Sequence, residues 1–192
     1  NSFSVHDDVI IRKLSAHGPV LIRGGRGRVT RALLLEAHRR MCAAGAVFSV
    51  YISLRYLPLL KSAGAEYIGH FCTLLSQHIQ KELEQQNLEI EFSGGNDQMS
   101  LQLALLELAQ ALDKRIVILF DDAAHIGREK PLEVFFDLFR TLSSSVISCK
   151  ASIYPGVTKF GTRFDVFNDS TVLDSSRSSK ATRHYVAVLK TM

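Results

Sequence analysis

The chain has 192 residues, of which 46% are hydrophobic and 22% charged, with a formal charge of +4. A chain of that length buries a sizeable core in one domain of ordinary size, and those fractions exclude intrinsic disorder, collagen and coiled coil. No apolar stretch approaches the ~18 to 20 residues of a membrane span, and the mild basicity permits contact with nucleic acid or anionic ligands without demanding it.

The first predicted element is a lead-in helix from about Ser4 to His17. It places Val5, Val9, Ile10 and Leu14 at helical spacing and stops at His17-Gly18-Pro19. Pro19-Val20-Leu21-Ile22-Arg23 reads as a short buried strand. Gly24-Gly25-Arg26-Gly27 follows as a turn, and Leu33, Leu34, Ala37 and Met41 mark the helix after it. Val47 to Leu54 is a second strand of β-forming residues. Tyr67, Ile68, Phe71, Leu74, Leu75, Ile79 and Leu83 then form the apolar stripe of a long helix. Ser93 to Asp97 is a loop and N-cap cluster, and Leu101, Leu105, Leu108 and Leu112 belong to a further helix.

Ile116 to Phe120 is a continuous apolar run ending in Asp121-Asp122, the pattern of a central parallel strand buried on both faces. Pro131, at a first helical position, opens a helix carrying Leu132, Phe135, Phe136, Phe139 and Leu142. Val146 to Tyr154 is another strand, and Val172 begins a last one. Strands alternating with helices predict an α/β three-layer sandwich with a mainly parallel sheet.

In such a sheet, ligands bind beyond the carboxyl ends of the strands, where helix N-termini present free N–H groups. Both chemically suggestive segments sit there. A phosphate-binding loop uses glycines so that several N–H groups converge on phosphate, a Lys for the outer phosphates, and a Ser or Thr hydroxyl for Mg²⁺. A strand ending in acids supplies the other half: one carboxylate holds the Mg²⁺ shell and the second polarises water.

On these segments the chain resembles the P-loop ATPases of the AAA+ and STAND group, most closely the origin-recognition type, whose loop reads roughly Gly-Pro-Arg-Gly-Ser-Gly-Lys-Thr. The resemblance assigns a nucleotide-binding segment to Gly24, Gly25, Arg26, Gly27, Arg28, Val29, Thr30 and Arg31. It makes Asp121 and Asp122 the Walker B pair, with Asp121 on Mg²⁺, and Ser152 a sensor for the terminal phosphate. Gly24, Arg26 and Gly27 match the pattern. Val29 stands where the second signature glycine belongs, Thr30 where the Lys belongs, and Arg31 where the Mg²⁺-binding hydroxyl belongs. A β-branched Val hinders close backbone approach, and losing the Lys removes a point charge at the outer phosphates. ATP and Mg²⁺ are therefore the implied cofactors, with binding weak or lost.

The resemblance implies an ATPase module acting as a nucleotide-dependent switch or assembly platform, impaired in hydrolysis. The alternative is a non-hydrolysing pseudo-ATPase scaffold. Its implied partners are other subunits or domains of a larger protein, and DNA or RNA. Arg23 to Arg28 also reads as a single RGG-type RNA-binding box, though such boxes are normally repeated and disordered. Arg163 and Arg177 are arginine-finger candidates, and His125 lies near the cleft.

The expected organisation is one domain: a lead-in helix over 1–17, a core over 18–155, and an incomplete part over 156–192 without a helical lid. Cys42, Cys72 and Cys149 form no disulfide framework, and no signal peptide is visible. The expected setting is cytoplasmic, or nuclear in a eukaryote. The seven histidines, His38 among them, show no metal-ligand spacing with cysteines or paired acids.

Overall fold

The lead-in helix begins at a capping box: Ser4 Oγ accepts from the Asp7 N–H, and Asp7 Oδ2 accepts from the Ser4 N–H. The structure, a computed structural model, describes residues 3–23, 27–55, 65–123, 129–153 and 171–174. In chain order the elements are α1 (Val5–Ser15), β1 (Val20–Arg23), α2 (Gly27–Ala44), β2 (Val47–Ser53), α3 (Ala65–Gln85), α4 (Gln98–Leu112), β3 (Arg115–Asp121), α5 (Glu129–Leu142), β4 (Ile147–Ile153) and β5 (Thr171–Asp174).

Local chemistry sets the boundaries. Gly45, at φ +73°, ends α2, and its N–H bonds to the Met41 carbonyl at 3.0 Å. Asp97 caps α4 by accepting from the Ser100 N–H at 2.8 Å, and Asp113 closes that helix in the left-handed region at φ +51°. Helix α5 starts at Glu129, so Pro131 is its third residue rather than its first.

Among the described residues five strands form one parallel sheet, in the order β2-β3-β4-β1-β5. The β3 strand shows why its sequence is continuously apolar. Ile116, Ile118 and Phe120 enter one core with Phe71, Leu105 and Phe135 from α3, α4 and α5. Val117 and Leu119 enter a second core with Ile10, Leu14, Leu33 and Ala37 from α1 and α2. The sheet is thus the middle of three layers. Phe71, Phe120, Phe135, Phe136 and Phe139 pack ring against ring at centroid separations of 5.2–6.3 Å.

On β4 the alternation is chemical as well as geometric. Ile147, Cys149, Ala151 and Ile153 join the first core, while Ser148, Lys150 and Ser152 are buried polar residues on the α1 and α2 side. The strand order places the end of β4 between the ends of β1 and β3, with Ile22 opposite Ser152 and Phe120 opposite Ala151. That register brings Ser152 beside Asp121.

Candidate functional site at the strand ends

Asp121 is the last residue of β3 and fully buried, on the face that carries Val117 and Leu119 toward α2. Its Oδ1 accepts from Ser152 Oγ at 2.7 Å and from the Asp122 N–H at 2.9 Å. Its Oδ2 accepts from the Tyr51 hydroxyl at 2.5 Å and faces Arg31 Nε at 3.8 Å. Tyr51 lies opposite Leu119 on β2, so it is a diagonal neighbour of Asp121 on the same face. Burial, then the bond to Asp121, pushes its phenol far above the ordinary range and keeps it a donor.

Asp122 turns the chain at φ +57°, a conformation an Asp tolerates better than most residues. Its N–H is shared between Asp121 Oδ1 and Ser152 Oγ, the latter at 2.8 Å. Its buried Oδ2 lies 3.3 Å from Arg55 Nη2, an ion-pair contact outside hydrogen-bond geometry.

The residues of the expected phosphate loop divide. Gly24, Gly25 and Arg26 lie outside the described residues, as do His125, Arg163 and Arg177. Gly27 opens α2, which places Arg28, Val29, Thr30 and Arg31 inside the helix. Arg28 is exposed, whereas Val29 packs against the core formed with α1 and Thr30 is 3% exposed. Arg31 reaches back from the first turns of α2 to the β3 acid. The structure therefore brings together Asp121, Asp122, Ser152 and Arg31 of the sequence candidates.

Tyr51 and Arg55 join the site without having been singled out from the sequence. Their signal is the pairing of β2 with β3, which periodicity within either strand does not reveal. A second convergence corrects the expectation that no histidine stands at ligand spacing: His38 and Cys42, four residues apart on α2, meet Glu82 of α3. Residues four apart share a helix face, and the third group comes from a distant element.

No protein-family model and no curated protein sequence matches the chain. Solved structures do. A Walker-type ATPase of Pyrococcus abyssi matches with a TM-score of 0.55 at 14% identity, over 77% of this chain and 43% of that one. Drosophila ORC bound to GC-rich DNA and Cdc6 matches with a TM-score of 0.56 at 8% identity, over 93% and 28%. The Aeropyrum pernix ORC1 protein in complex with DNA matches with a TM-score of 0.51 at 12% identity, over 97% and 49%. The fold is that of the P-loop ATPases. In this chain β3 ends at Asp121, with Asp122 directly after it. The chain spans less than half the length of each of these structures. Among the described residues no helix is long and apolar enough to cross a membrane.

Proposed function

We propose that this P-loop ATPase-like module has lost effective hydrolysis and serves as an anion-responsive switch or assembly platform within a larger protein. The observation that carries this reading is the environment of Asp121. A carboxylate offers about four lone-pair sites. Here three hydrogen bonds and one guanidinium contact converge on them. A Mg²⁺ ion requires oxygen ligands at about 2.0–2.1 Å in near-octahedral array. Oδ1 of Asp121 accepts two of these bonds and Oδ2 one, and Arg31, where the resembled loop has its hydroxyl, brings a fixed cation to Oδ2 instead. The residues do not fit Mg²⁺, and no catalytic step runs through it.

Anion binding rests on α2. Its first turn holds no acid, whereas Arg28 and Arg31 lie near its positive end. Cations there oppose the helix dipole, and an anion at the free N–H groups offsets both. The anion we propose is a nucleotide phosphate or a nucleic-acid phosphate. Two of the matched structures contain DNA, which supports DNA as a partner.

Phosphate release from ATP and Mg²⁺ tests the loss of hydrolysis. We expect no turnover above the protein-free blank, and no difference between the chain and its Asp121→Asn variant. Turnover that disappears in Asp121→Asn would overturn the reading.

A further inference from the structure

Ser49 lies opposite Val117 on β3, four residues before Asp121, so the convergence around it is about 13 Å back along the strands from the acidic pair. At that level His38 and Cys42 stand one helical turn apart on α2, and Glu82 reaches them from α3 beside the edge strand β2. One imidazole nitrogen, one thiol sulfur and one carboxylate oxygen lie within 4.8 Å of one another.

Two of the three separations match those of donors sharing one ion. His38 Nε2 is 3.4 Å from Glu82 Oε1 and 3.7 Å from Cys42 Sγ. Zinc bonds of about 2.1 Å to nitrogen and oxygen and about 2.3 Å to sulfur, at tetrahedral angles, set these edges at about 3.4 Å and about 3.6 Å. Sγ is also 3.8 Å from Nδ1, so sharing an ion with Nε2 calls for a change of side-chain torsion at Cys42.

Outer partners orient two of the three donors. The buried Ser49 Oγ lies 2.8 Å from His38 Nδ1, which turns Nε2 toward the group. Gln86 Nε2 donates to Glu82 Oε2 at 2.9 Å and leaves Oε1 toward His38. Metal-binding histidines and carboxylates are held in this way.

We propose that His38, Cys42 and Glu82 bind a divalent ion of the zinc class, clamping α2 to α3 around the β2 edge. A neutral imidazole, a thiolate and a carboxylate together balance the charge of such an ion, and the sulfur ligand selects against Mg²⁺ and Ca²⁺. The side chains of His38 and Glu82 are 20% and 13% exposed, which gives the ion an entry path and water a fourth coordination position.

Titration of the full chain with Co²⁺ alone, under reducing conditions, tests the site. The expected result is one equivalent bound, with a thiolate-to-cobalt charge-transfer absorption that Zn²⁺ abolishes by displacement. Cys42→Ser should remove that absorption while the far-ultraviolet circular dichroism is unchanged. Ser49→Ala should keep the absorption but weaken Co²⁺ affinity by about 10- to 100-fold. If Cys42→Ser fails to fold, Glu82→Gln, which keeps the thiol, should weaken affinity at least about tenfold. Absence of the absorption in the unaltered chain, its persistence in Cys42→Ser, or unchanged affinity in Glu82→Gln would each overturn the proposal.

Discussion

The Arg31 guanidinium faces the same Asp121 oxygen that accepts from Tyr51. Compared with a divalent ion, a guanidinium is large, permanently charged and tethered to the helix that would present phosphate. Replacing it by a short hydroxyl residue leaves Asp121 with an oxygen less fully engaged and removes a competing cation. We expect Arg31→Thr to gain a measurable enhancement of ATP affinity by Mg²⁺ that the unaltered chain lacks. Calorimetry on the variant checks this, and an isotherm unaffected by Mg²⁺ would argue that Tyr51 and Ser152 alone block the ion. Val29, where the resembled loop has a glycine, is a partly buried residue packed against the α1 and α2 core.

At the scale of elements, α1 is joined to the sheet by polar groups of β4. Lys150 Nζ donates to the carbonyls of Ala16 and Gly18, just past the α1 C-terminus. Ser148 Oγ accepts from the Gly18 N–H and donates to the Gly18 carbonyl, each at 2.9 Å. Burial lowers the Lys150 ammonium to about 7. The unfolded chain then binds more protons than the folded one between pH about 7 and the ordinary lysine value of ~10.4, so stability rises with pH across that window. The rise is on the order of a few kcal/mol. Urea unfolding at stepped pH should show it, and Lys150→Met should flatten it; an equal slope in the variant would assign the rise to other groups.

The order of helices and strands was legible in the sequence because each element carries its own period. The long stripe from Tyr67 to Leu83 and the run from Ile116 to Phe120 needed no tertiary information. Asp121, Asp122 and Ser152 were legible as strand-end residues. Their shared hydrogen bonds were not, because the β3-to-β4 register sets them. Tyr51, Arg55 and the meeting of Glu82 with His38 depend on contacts between elements far apart in sequence, and no local pattern records those.

At the scale of the whole molecule, the parallel sheet carries an acid at the end of its interior strand β3, and α2 begins with basic residues near it. Arg28 is exposed at that end of α2. If DNA phosphate docks there, Arg28→Ala should weaken DNA binding across sequences and reduce the slope of log affinity against log salt by about 1. Filter binding or fluorescence anisotropy over a salt series reads this, and an unchanged slope would remove DNA phosphate from that position.

Asp121 is bonded to internal donors, and in the function proposed above it takes no part in holding a metal-bound nucleotide. The most direct measurement is the affinity for ATP by calorimetry with Mg²⁺ and with a chelator, on the chain and on Asp121→Asn. Affinities are expected to agree within about threefold in all four conditions, less than the ~1.4 kcal/mol of a tenfold change. Tight binding that requires Mg²⁺ and is lost in Asp121→Asn would contradict the proposed function.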